Sequence, residues 1–114
     1  MIEIRLISRG EDEFSAFESA GHAGRAEYGK DIVCSAVTAL LKTAVLTLMA
    51  AEKKGGLKLE IKAKKAGELS VKVEKPEKEE RPRLKHLFEF LTIGLISIQK
   101  EYPDCLNLQI IKKS

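Results

Sequence analysis

The stretch that most restricts the fold is residues 32–54, where apolar side chains recur at helical spacing until Gly55-Gly56 stops them. Val33, Val37, Leu40, Leu41, Ala44, Val45 and Leu48 fall on one face, so this helix commits a side to a core. Paired glycines end it, because the left-handed turn that closes a helix is easiest for glycine. Everything around it reads at a different period. Ile2, Ile4 and Leu6 alternate with polar residues, Arg9-Gly10-Glu11-Asp12 is turn chemistry, and Glu13–Ala20 continues as a second strand of a hairpin. After the helix, Leu57, Leu59 and Ile61 alternate with charged residues, and Leu69, Val71 and Val73 repeat the pattern beyond a Lys-Lys-Ala-Gly turn. That predicts a second hairpin with one dry and one wet face.

Residues 75–83, Lys-Pro-Glu-Lys-Glu-Glu-Arg-Pro-Arg, read as a charged linker bounded by prolines. A second helix is predicted over 84–101, with Leu84, Leu87, Phe88, Leu91, Leu95 and Ile98 as its core stripe and Tyr102-Pro103 as its stop. Leu106, Leu108 and Ile110 then alternate as a fifth strand. The order ββαββαβ predicts an α+β sandwich, a mixed or antiparallel five-stranded sheet covered by two helices, in a single domain over 1–114. The second helix carries more apolar surface than one stripe needs, with Phe90, Ile93 and Ile96 off the core face. A helix apolar on two sides is buried on two sides, so a homodimer through this helix is expected.

Hydrophobic residues make up 44% of the 114 and charged residues 32%, the balance of a soluble globular chain. No run of about 18 uncharged apolar residues occurs, so no membrane span is expected. The first residues, Met-Ile-Glu-Ile-Arg-Leu, lack the basic and long apolar regions of a signal peptide, and the expected location is the cytoplasm. Two cysteines there are expected as free thiols. Charge is uneven: residues 1–31 hold seven acids and four bases, and residues 32–114 hold 16 bases and 10 acids. The lysines of 53–65 could form a basic face for RNA or a solvated surface, so direct nucleic-acid binding stays open.

The chemistry concentrates just before the first helix. Asp31 is placed to cap it, accepting from amide hydrogens of the first turn. Cys34 then falls at the third helical position, where the dipole and free amides favour a thiolate and can hold an oxyanion. His22 lies upstream in a segment with glycines at Gly21, Gly24 and Gly29. Folded back over the helix start, it would pair with the thiolate and protonate a leaving amine. The residues alone leave a second reading open, in which Cys34 is a small core residue and His22 is solvated. No third or fourth ligand has metal-site spacing, His86 and Cys105 look structural, and the glycines do not follow a phosphate-loop pattern. No metal and no cofactor are expected.

The block Gly-His-Ala-Gly-Arg-Ala-Glu-Tyr-Gly-Lys-Asp-Ile-Val-Cys-Ser-Ala-Val-Thr-Ala-Leu, residues 21–40, resembles the signature of the ribosomal-processing cysteine protease family, Prp. The order of strands and helices, the Tyr-Pro after the second helix and the terminal strand fit that family as well. The resemblance implies a homodimeric endopeptidase of the bacterial cytoplasm. Such enzymes remove a short N-terminal extension from the twenty-seventh protein of the large ribosomal subunit. It also implies that Cys34 is the nucleophile, His22 its partner, and residues 21–30 a mobile loop that opens for a peptide with aromatic residues before the cut. Members often carry alanine after the cysteine and serine four residues after it. Here those positions are Ser35 and Thr38, beside the dyad but not part of it. Two rivals accompany this expectation: a non-catalytic ribosome-assembly factor that binds RNA or protein through its lysine-rich face, and a thiol hydrolase of small esters.

Overall fold

The computed structural model describes residues 1–21, 30–63, 65 and 67–114, with the side chains of Lys30 and Asp31 outside that set. Strands β1 (Ile2–Arg9) and β2 (Glu13–Ala20) form the first hairpin, and Gly10 and Asp12 take positive φ of 59° and 58° in its turn. Strands β3 (Lys58–Lys62) and β4 (Leu69–Glu74) form the second, and β4 lies antiparallel against β2. Strand β5 (Leu106–Lys113) joins β1 in parallel. The result is a mixed five-stranded sheet in the order β3-β4-β2-β1-β5, with two helices packed on one face. The expected α+β class and element order hold.

One irregularity serves the core. Phe14 and Phe17 are three residues apart, which a strand of strict period two would send to opposite faces. The β1–β2 register shifts between Ile7 and Ser8, so that Ile7 pairs with Ala16 but Ser8 pairs with Phe14. The extra residue is Ser15. That bulge turns both rings inward, where they are buried and tilted against each other at 6.4 Å. Beside them Ile4 and Leu6 from β1, Val71 from β4 and Leu106 from β5 complete the sheet side of the core.

Helix α1 spans Lys30–Lys53 and buries Val33, Val37, Leu41, Ala44, Leu48 and Ala51. It starts one residue before the expected cap, so Asp31 stands in the first turn rather than ahead of it, and Cys34 is the fifth helical residue rather than the third. Its end matches expectation. Gly55, at φ 81°, donates to the Glu52 carbonyl and Gly56 to the Ala51 carbonyl, the paired bonds that satisfy a helix C-terminus. Within Ile32–Lys53 an 18-residue window reaches a mean hydropathy of 2.0, so by length and composition this helix could cross a membrane although Lys42 interrupts its apolar run. The excess has a visible cause. Beyond its core stripe the helix leaves Ile32, Leu46 and Met49 exposed.

Helix α2 spans Arg81–Glu101, three residues earlier than expected, and a short 3₁₀ turn at Lys78–Glu80 precedes it. The linker expected over 75–83 is therefore shorter, and Pro82 sits in the first helical turn, where a missing amide hydrogen loses no bond. Leu84, Phe88, Leu91 and Leu95 are buried as expected, while Leu87 and Ile98 are partly so. The two helices meet closely at Gly94, where an added Cβ would lie 3.1 Å from Leu40. The outer face of the sheet is polar, with cross-strand partners Arg5 and Glu18 paired at 2.8 Å in solvent, a contact of little energetic weight.

Candidate functional site

Cys34 is half-buried on the flank of α1 that turns away from α2. It opens into a cleft of about 440 Å³ between that flank and the strand ends at one side of the sheet. Val37, Leu41 and Val45 from α1 and Leu69 from β4 make the cleft apolar. Gly21, at the end of β2, closes one wall at φ 83°, and a Cβ there would overlap the Met1 carbonyl oxygen. The chain therefore enters residues 22–29 from the wall of the cleft that holds the thiol.

His22, Gly24 and Gly29 lie outside the described residues, and so does the Asp31 side chain. Thr38 is exposed and lines the cleft one turn after Cys34, whereas Ser35 is exposed and does not line it. With α1 beginning at Lys30, the amides of residues 30–32 lack helical acceptors, just before the thiol. Negative charge at the Cys34 end of the cleft thus meets a helix N-terminus. The arrangement can seat an apolar side chain beside the Cys34 sulfur, with helix-start N–H groups able to donate to an oxyanion there.

Sequence reasoning singled out Cys34 but not the residues that line the cleft opposite it. Leu69 and Gly67 come from the second hairpin and Ile2 from the first strand, so no spacing ties them to Cys34. Cys105 is buried in the turn just before β5, and His86 is exposed on α2. Among the described residues no cluster of His, Cys, Asp or Glu could hold a metal ion. The lysines of the second hairpin are interleaved with acids: Lys58 pairs across to Glu74 and Glu60 to Lys72, and Lys62 binds Glu60 at 2.7 Å. That hydrogen bond, with the positive charge of Lys62 and Lys72, holds the Glu60 carboxyl below its usual range. Such a face is not of one sign. A second groove of about 700 Å³ runs between the helices, with Leu40, Thr43 and Thr47 on one side and Phe90 and Ile93 on the other.

The family model described as "Cysteine protease Prp" matches residues 1–107. No curated protein sequence matches the chain. By structure the chain is similar to SMU.848 from Streptococcus mutans, with a TM-score of 0.76, 25% identity, and coverage of 98% of this chain and 95% of that one. It is also similar to the essential ribosomal processing protease Prp from S. aureus in complex with a covalently linked product peptide. There the TM-score is 0.72 at 22% identity, over 96% of this chain and 99% of that one. The same protease in complex with a substrate peptide gives 0.73 at 21%, with the same coverage.

Proposed function

The chain belongs to the Prp cysteine protease family, and on that premise we propose that it trims a short N-terminal extension from the twenty-seventh protein of the large ribosomal subunit. Support comes from the S. aureus Prp, a ribosomal processing protease of the same fold, seen with substrate and product peptides. On this chain, the observation that carries the reading is the Cys34 thiol set in an apolar cleft beside a helix start.

In this mechanism the Cys34 sulfur, as thiolate, adds to the scissile carbonyl carbon, and amide N–H groups at the start of α1 donate to its oxygen as negative charge develops there. The carbon–nitrogen bond breaks as the His22 imidazolium gives its proton to the leaving amine. Water, deprotonated by His22, then hydrolyses the thioester, which releases the extension as a carboxylate and restores the thiol. Asp31 supports the helix start through the dipole, and the Thr38 hydroxyl faces the bound peptide. The activity is placed in the cytoplasm, in a homodimer that covers Phe90 and Ile93 of α2.

The test is cleavage of the extended precursor followed by mass spectrometry. Cys34→Ala is expected to lower the rate by at least about a thousandfold, and His22→Ala by roughly a hundredfold or more. A Cys34→Ala protein that still cuts would reassign the nucleophile.

A further inference from the structure

The sheet order leaves β3 and β5 as its two edges, and the chain finishes them differently. An open edge offers unpaired amides and carbonyls to another strand, so proteins shorten it, charge it or cover it. β3 shows all three. It is five residues long, Lys58, Glu60 and Lys62 alternate along it, and the Glu52 carboxylate takes the Leu59 amide hydrogen at 2.7 Å. β5 is eight residues long. The Ile2 and Gly10 amides donate to the Cys105 and Lys113 carbonyls, so the odd-numbered residues of β5 turn to β1. Leu106, Leu108, Ile110 and Lys112 therefore turn their amides and carbonyls away from the sheet. Among the described residues one of these groups is engaged, the Leu106 carbonyl, which accepts from the Gln99 side chain at 3.4 Å.

The side chains along this edge are apolar in the middle and charged at the ends. Leu108 is half-buried and Ile110 is 36% exposed, on the face of the sheet that α2 covers. Gln99 marks the flank of α2 that overlooks β5, and Ile96, Thr92, Glu89 and Lys85 share that flank at helical spacing. Ile96 is half-buried, and the Thr92 hydroxyl is buried without a partner. A short turn reverses the chain between them, so α2 and β5 run in opposite directions. From Gln99 back to Lys85 the helix covers about 21 Å, and from Leu106 to Lys113 the strand covers about 23 Å. Lys85 thus stands with Lys112 and Lys113 at one end, where Asp12 lies 3.5 Å from Lys112 and Glu89 is one turn from Lys85. Glu101 and Asp104 stand at the other end.

We propose that the β5 edge docks an extended segment of another protein, antiparallel to β5, apolar at alternate positions and acidic at its N-terminal end. The outward groups of Leu108, Ile110 and Lys112 supply main-chain hydrogen bonds, and antiparallel pairing is the stronger direction. Every second side chain of the added strand lies beside Leu108 and Ile110 and beneath Ile96, where apolar residues fit. In that direction its N-terminal end meets the three lysines, which favour acids. Asp104, ahead of Leu106 and Leu108, gives β5 itself a version of this pattern. A second copy is nonetheless the poorer occupant, because self-pairing here, added to a homodimer at α2, would string dimers into larger assemblies.

The test uses the full chain and a synthetic probe of about nine residues, aspartates followed by valines alternating with threonines, read by fluorescence anisotropy. Control probes carry lysines for the aspartates or prolines for the valines. The aspartate probe is expected to bind at least about tenfold more tightly than either control at low salt. Ile110→Pro removes an amide that faces away from β1 and leaves the sheet ladder intact. It should weaken the probe by about tenfold or more while melting as wild type does. Lys112→Glu combined with Lys113→Glu should reverse the preference for aspartate over lysine. In amide exchange the probe should slow Leu108, Ile110 and Lys112 and leave the odd-numbered residues of β5, already bonded to β1, unchanged. Equal affinity for Ile110→Pro, or protection confined to the Cys34 cleft, overturns the inference. A lysine probe that binds as well as the aspartate one overturns the acidic end. Slow exchange of the same amides in concentrated protein without probe, with a smaller sedimenting mass for Ile110→Pro, would give the edge to a second copy and overturn the choice of occupant.

Discussion

Gly21 is the residue with the least freedom at the site. Its φ of 83° is left-handed, and the Met1 carbonyl oxygen occupies the space of a side chain. Gly21→Ala is expected to lose more than about 2 kcal/mol in urea unfolding, from the left-handed backbone and from an overlap with main chain that cannot swing aside. Precursor cleavage should fall with it. As sequence, this glycine signals only loop; the need for it comes from Met1, twenty residues away. The phenylalanines of β2 are similar. Glu13–Ala20 is legible as a strand, but the bulge at Ser15 follows from which face each ring must reach, and that depends on the sheet.

Among the elements, α1 does the most. One stripe builds the core, one flank carries the thiol and its cleft, and Glu52 at its far end ties it to β3. Glu52→Ala is expected to cost about 1 kcal/mol, as for one hydrogen bond to an exposed partner. Amide exchange at Leu59 should quicken before that of the buried β1 and β4 residues, because the contact holds the sheet edge locally. The type and order of the strands and the two α-helices were legible, since period 2 and period 3.6 are local signals, whereas the 3₁₀ turn at Lys78–Glu80 lay within the expected linker. Where α1 and α2 start was less so. An acidic residue is a good cap and also a good first-turn residue, so Asp31 fits either place, and Pro82 is as much at home inside a first turn as before it.

For the whole molecule, the apolar surface is unevenly finished. Phe90 and Ile93 are 60% and 65% exposed on α2 beside the groove to α1. If the homodimer forms there, Ile93→Glu will convert it to a monomer by sedimentation, with the melting profile of the monomer otherwise cooperative. Sheet order was the least legible feature. Nothing local says that the last strand lies beside the first, or that β4 rather than β3 meets β2. The cleft depends on that order, and so its second wall was out of reach. The β1–β5 pairing also sets a timetable. β1 matches residues 106–113 over its full length, and the Ile2 amide hydrogen bonds the Cys105 carbonyl. Emerging from the ribosome, β1 must wait as an open edge until residues 106–113 have been made. Ile2 lines the thiol's cleft, so that wall gains its final neighbour only once residues 106–113 have been made.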